Sequence, residues 1–375
     1  TMVARGGHIV HWEAVGMRDI EAADPLEPDD IFRIYSMTKP VTSVAVMMLV
    51  ESGDLELDDP VSNFLQSFED LAVLEADGSR APTARQVTVR DLLRHTGGLT
   101  YGLLHDTPVD RMYEESGLVA ALGLDLTDAP AAEHEVQDLE EFVATLADLP
   151  LLAQPGEQWI YSASTDVLGY LVQVVSGRPF DEFLAERLFE PLGMDDTAFW
   201  VPAEKRHRFA AHYRRSKTGL ELVDSPQSDR YTRMPPIAFG GSGLVSTPSD
   251  YVRFAQMLLQ EGELDGVRIL AAETVRAMRR DHLPEGVVFP DRWFGPGYGY
   301  GLGFATLVDQ DATPDADHAG VHRWVGMANT FFWIDPEADL VAMVWTQMTP
   351  LGVYRLQQRF QKMVYAAMDE RAHGS

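Results

Sequence analysis

The chain contains no cysteine in its 375 residues. Disulfides, thiolate metal centres and cysteine nucleophiles are therefore excluded, and a chain this long can bury a core without covalent staples. Lysine is scarce, at positions 39, 205, 217 and 362 only, and arginine supplies the rest of the positive charge. Together they number 30 against 58 Asp and Glu, for a formal net charge of −28. Such a surface repels nucleic acid and anionic membranes, so neither is expected as a partner. No apolar run approaches the roughly 20 residues that a bilayer span needs; the strongest, 41–50, is too short. No signal-peptide pattern is read around Thr1-Met2-Val3-Ala4, which favours the cytoplasm and leaves a periplasmic or secreted location open. Nothing in the sequence speaks to oligomeric state.

What is present is the composition of a globular protein, 45% apolar and 23% charged. Residues 3–18 alternate like a hairpin turning at Gly6-Gly7. From Ser36 to Ser52 the apolar residues Val41, Val44, Ala45, Met48 and Leu49 recur at helical spacing until Gly53. Further helices are expected over 89–94, 139–149, 164–176, 179–189, 248–259, 271–280 and 353–368, and strands over 298–308, 320–325, 329–334 and 340–346. Strands at both chain ends with helices between imply an α/β fold of the α+β type, one antiparallel sheet flanked by helices. The expected division is an α/β domain of 1–55 and 237–375, interrupted by a mainly helical domain of 56–236.

Ser36-Met37-Thr38-Lys39 is a Ser-x-x-Lys motif at the mouth of the first helix. Three-residue spacing puts both side chains on one helical face, where an amine kept partly neutral can take the hydroxyl proton. The plain alternative is a serine cap and a solvated lysine. Tyr161, just before the 164–176 helix, can reach a nucleophile from the opposite wall, or can be an ordinary core aromatic. His318-Ala319-Gly320 leads into a strand through His322, Trp324, Gly326 and Met327, whose glycines let another backbone or a ligand approach closely. Strand alternation puts His322 on the face of Trp324, as a candidate polar contact in a cleft. His318 and His322 lack a nearby third ligand, so no metal is expected. Gly240-Gly241-Ser242-Gly243 lacks the Gly-x-Ser-x-Gly spacing of a nucleophile elbow. His95 reads as a helix-end residue.

In order and spacing, Ser36-x-x-Lys39, Tyr161-Ser162, His318-Ala319-Gly320 and Trp324-x-Gly326 resemble the serine β-lactamase and penicillin-binding-protein superfamily. Within it the chain is most similar to the class C β-lactamase-like carboxylesterases, family VIII. His95-Thr96-Gly97-Gly98-Leu99, Pro155-Gly156, Pro191-Leu192-Gly193-Met194 and Asp335-Pro336 extend the likeness over nearly the whole chain. The resemblance implies that Ser36 is the nucleophile, Lys39 its helical partner and Tyr161 the tyrosine of the Tyr-x-Asn element. It also implies that the N–H groups of Ser36 and Met327 form the oxyanion hole. No cofactor and no metal are implied.

Two departures bear on substrate. Ala163 stands where an amide would hold an acylamino group, and Trp324 stands where a lysine would pair with a carboxylate. Val325 replaces the middle glycine of the esterase pattern Trp-Gly-Gly. The expectation is a serine hydrolase acting on small esters through a Ser36 acyl-enzyme, with Lys39 and Tyr161 as general base and acid. Its rivals are a β-lactamase, a D-alanyl peptidase or an acyltransferase on the same residues, and a catalytically silent binding or sensor protein.

Overall fold

In the computed structural model, which describes residues 1–123, 135–313 and 318–373, Gly6 and Gly7 turn the chain at φ of 59° and 76°. That turn joins strands β1 (Met2–Arg5) and β2 (His8–Trp12). The far end of the chain supplies β3 (Tyr298–Tyr300), β4 (Ala305–Leu307), β5 (His322–Gly326), β6 (Thr330–Asp335) and β7 (Leu340–Val344). All seven form one antiparallel sheet in the order β3-β4-β5-β6-β7-β1-β2. The two ends of the chain meet where Met2 pairs with Met343. Every residue of β5, β6 and β7 is buried, because helices cover both faces; β7 is an unbroken apolar run, while β5 and β6 bury His322, Arg323, Thr330 and Asp335 among their apolar residues.

The helices that matter for the site are α1 (Thr38–Ser52), α2 (Val89–Leu93), α3 (Leu139–Ala147), α4 (Ser164–Ser176), α5 (Pro248–Leu259), α6 (Ala272–Met278) and α7 (Leu356–His373). In α1 every residue from Thr38 to Leu49 is buried, so its polar members must find partners inside the protein. Helix α4 packs against α1, α2 and α3, and α5 packs against β6 and β7.

The structure corrects several expected boundaries. Residues 298–308 form a hairpin rather than one strand, because Gly303, at φ 102°, reverses the chain in close contact with Ser43. The first helix begins at Thr38; Ser36 lies in the preceding 3-10 turn, Tyr35–Met37. The 179–189 helix changes at Ala185 to a wider π turn. The 353–368 helix begins three residues later and runs to His373. Residues 56–236 also hold two short hairpins, Ala72–Leu74 with Arg80–Pro82 and His212–Arg215 with Leu220–Asp224. These are set by turns at Gly78 and Gly219 rather than by alternating runs, which is why periodicity missed them.

One ion-pair cluster fixes the loop that will carry part of the site. Asp91, fully buried in α2, accepts hydrogen bonds from Arg85, Arg94, Thr88 and Thr96. Burial alone would raise its pKa, but those donors hold it down to about 2. The carboxylate therefore stabilises the fold above its unfolded pKa, near ~3.9, and that contribution is lost as pH falls towards 2. Asp91→Asn should cost about 3 kcal/mol in urea denaturation at pH 7. The gap to the wild type should close between pH 4 and 2; a gap that stays constant over that range would contradict the assignment.

Candidate active site

Ser36 sits between a strained residue and a buried helix. Tyr35 before it adopts φ 45°, a left-handed conformation that costs a non-glycine residue on the order of 1–3 kcal/mol. The strain is held by packing and by the Tyr35 hydroxyl, which hydrogen-bonds Nδ1 of buried His212 at 3.2 Å. On the other side, Lys39 in the first turn of α1 is completely buried. Its Nζ donates to Ser36 Oγ at 3.3 Å and to the Gly241 carbonyl at 2.7 Å. Burial pushes the amine's pKa far below the ordinary lysine value, and the Asp166 carboxylate pulls it part of the way back.

Tyr161 arrives on a loop that is docked by hydrogen bonds onto the turn after α2. Gly156 N–H donates to Thr96 O and Ile160 N–H to His95 O, at 2.8 and 2.9 Å. His95 ends α2 at φ 57°, as a helix-end residue does, but it is also buried and hydrogen-bonded to Ser162 at 3.1 Å. Its ring lies 5.0 Å from that of Tyr161, so it packs the phenol into place. Lys39 Nζ stands 4.7 Å from the centre of the Tyr161 ring. Burial raises the Tyr161 pKa well above the usual phenol value, and the neighbouring Ser36 hydroxyl and Trp324 indole offset only part of that. Both groups beside Ser36 are thus pushed towards their neutral forms, amine and phenol. A neutral amine next to a hydroxyl can accept its proton, and a neutral phenol can pass one on.

Strand β5 closes the third side. A Cβ on Gly326 would collide with Ile34 O and with Thr330 Oγ1, so glycine is what lets β5 approach the chain two residues before Ser36. Met327, the next residue, follows the end of the strand. Trp324 differs from expectation: its side chain is not open to a cleft but fully buried. Trp293 stacks on it at 5.2 Å and meets Tyr161 edge-on at 5.0 Å, forming an aromatic wall with Trp159 and Tyr300. His322 is also corrected, since its contacts are with Gly320 O and the Phe304 ring rather than with Ser36 or Tyr161. Burial holds its pKa down to about 4, so it stays neutral in the core. His318, on the strand approach, is tied to Asp335 at 2.6 Å.

Three residues of the site escaped the sequence. Asp166 lies in the first turn of α4, where an acid is commonplace. Tyr101 and Trp293 sit in loops without periodicity. Gly240-Gly241-Ser242-Gly243, set aside as a nucleophile elbow, instead supplies the carbonyl that Lys39 donates to. One residue further, Ser242 enters the wall of a cavity of about 610 Å³, with Phe199, Tyr231, Ile237 and Phe239. Chain geometry places Ser242 Cα within about 9 Å of Ser36 Oγ.

An antiparallel sheet with a helix-borne Ser-x-x-Lys at its side defines the β-lactamase/transpeptidase-like class of α/β proteins. The Beta-lactamase family model matches residues 1–366, and the chain belongs to that family. It is 35% identical over 360 residues to protein Rv1367c of Mycobacterium tuberculosis, covering 93% of this chain and 85% of that one. It is 33% identical over 371 residues to esterase EstB of Burkholderia gladioli, covering 94% and 86%. Among solved structures it resembles EstCE1, described as a hydrolase with promiscuous acyltransferase activity. That match has a TM-score of 0.79 and 28% identity, and covers 96% of this chain and 92% of the other.

The close approach at Gly326 carries its own test. Gly326→Ala must push β5 away from Ile34, and overpacking of this kind typically costs about 1–3 kcal/mol. Urea denaturation should show that loss. A variant as stable as the wild type would mean that the strand does not need to approach so closely.

Proposed function

We propose that the protein is a carboxylesterase that cleaves small neutral esters through a Ser36 acyl-enzyme. The observation that carries this reading is a fully buried amine, Lys39 Nζ, 3.3 Å from Ser36 Oγ. Lys39 accepts the Ser36 proton, directly or through the Tyr161 hydroxyl, as the Ser36 Oγ–carbon bond forms. The N–H groups of Ser36 and Met327 receive the developing oxyanion. When the ester C–O bond breaks, Tyr161 gives its proton to the leaving alcohol and regains one from the Lys39 ammonium. Water then attacks the acyl-enzyme by the reverse path, and the acid leaves.

The chain reads as two units, 1–55 with 237–375 and 56–236, with Ser36 and Lys39 contributed by the first and Tyr161 by the second. The small-molecule substrate is the expected partner, and no described helix is long and apolar enough to cross a membrane. A second reading, acyl transfer to an alcohol, is favoured by the likeness to EstCE1, described as a hydrolase with promiscuous acyltransferase activity. Adding an alcohol to the ester assay distinguishes the two.

Position 324 offers no cation, and burying an unpaired carboxylate costs roughly several kcal/mol. Position 163 offers no amide, and a lost acylamino hydrogen bond costs about 1 kcal/mol more. A neutral ester incurs neither cost. p-Nitrophenyl butyrate should therefore exceed nitrocefin in kcat/KM by about 10³-fold or more on the same preparation. If nitrocefin is the better substrate, the chain is a lactamase and the esterase reading fails.

A further inference from the structure

Asp166 is a carboxylate with no exposed surface, placed beside an amine that is equally buried. A charge removed from water persists only where partners compensate it. The partners of Asp166 reach across the fold. Gly241 N–H donates to Oδ1 at 2.8 Å and the Tyr101 hydroxyl to Oδ2 at 3.4 Å. Lys39 does not form a direct ion pair with it among the described residues; Gly241 stands between them. That residue is gripped from both sides, its N–H by Asp166 and its carbonyl by Lys39 Nζ. Only glycine permits this, because a Cβ at position 241 would lie 2.6 Å from Asp166 Oδ2 and 2.8 Å from the Tyr101 oxygen.

We propose that Asp166 is the positioning residue of Lys39: its carboxylate balances the lysinium formed when Ser36 gives up its proton, and its grip on Gly241 aims the amine. The proposal rests on the assignment of Ser36 and Lys39 above and adds a third member to them. It parallels the way a nucleophile's base is oriented by a further group in other hydrolases. The hydrogen bonds of Asp166 go to Gly241 and Tyr101 rather than to Ser36, and the carboxylate acts through Lys39.

The sign of its effect is fixed. A nearby carboxylate favours the ammonium form, so it raises the Lys39 pKa against the lowering caused by burial. The other titratable groups facing the pair are Tyr101, Tyr161, Tyr300 and His95. Burial raises the pKa of all three phenols and lowers that of His95, so none changes charge in the range where Lys39 titrates. Burial pushes the Asp166 carboxyl itself up to about 6, against the lowering by Lys39, Gly241 N–H and Tyr101, so it carries its charge above that pH. Removing the charge at 166 must therefore make Lys39 a weaker base, available in its neutral form at lower pH.

The test is the rate at which a fluorophosphonate modifies Ser36, followed against pH in the full-length chain. For Asp166→Asn the acid limb should move to lower pH by about one unit or more. Tyr101→Phe removes a donor that lowers the Asp166 pKa, so the carboxyl is less ionised where Lys39 titrates, and the limb should move the same way, by less. A merely structural role would lower the rate or the melting temperature and leave the limb in place, and that outcome overturns the proposal. If Asp166→Asn does not fold, the direction of the Tyr101→Phe shift decides. Because the probe reports nucleophile activation and not ester preference, failure of the esterase reading would leave this shift intact.

Discussion

Burial of one amine is the constraint on which the rest of this site depends. Lys39 has no exposed surface, and an ammonium in that position is stable only with compensation. What surrounds it follows from that demand: the Gly241 carbonyl at 2.7 Å, the Tyr161 ring face at 4.7 Å and the Asp166 carboxylate beyond Gly241. Each favours the charged form a little, and none restores what water would give. The amine is left with a pKa far below that of an ordinary lysine, 3.3 Å from the Ser36 hydroxyl. Had α1 been a surface helix, the same four residues would have formed a serine cap and a solvated lysine.

The fold supplies this environment by bringing distant segments together. Helix α1 is buried because α4 packs on it, and α4 carries Asp166 and follows directly on Tyr161. The loop bearing Tyr161 is pinned to the turn after α2, and that turn is pinned by Asp91 and its two arginines. From the other end of the chain, β5 is able to press against Ile34 because position 326 is glycine. The strained φ of Tyr35 is the local cost of presenting Ser36 at the meeting point of these elements.

Part of the fold was legible in the sequence: the expected 164–176 and 248–259 helices coincide with α4 and α5, whereas 298–308 folds as a hairpin and the short helices Pro108–Glu115 and Leu118–Leu122 escaped the apolar spacing. Ser36, Lys39 and Tyr161, which the structure brings together, were singled out because motif and order agree with a known family. Trp324 was located but misread: alternation fixes the face of a residue, and only tertiary packing reveals that Trp293 covers it. The same limit applied to His322, whose face turned out to be filled by Phe304. Asp166 was hidden by its ordinariness as a first-turn acid, and Gly241 by a glycine-rich stretch that could have been only a turn. Both owe their importance to contacts across more than sixty positions of sequence, Tyr101 with Asp166 and Asp166 with Gly241.

The central claim is that the buried lysine makes Ser36, and no other hydroxyl, nucleophilic. Intact-mass analysis after exposure to a fluorophosphonate, with peptide mapping of the adduct, measures this most directly. The account predicts one adduct per chain, located on Ser36 and absent from a folded Ser36→Ala variant. An adduct that persists in that variant, on Ser162 or Ser242, would contradict it.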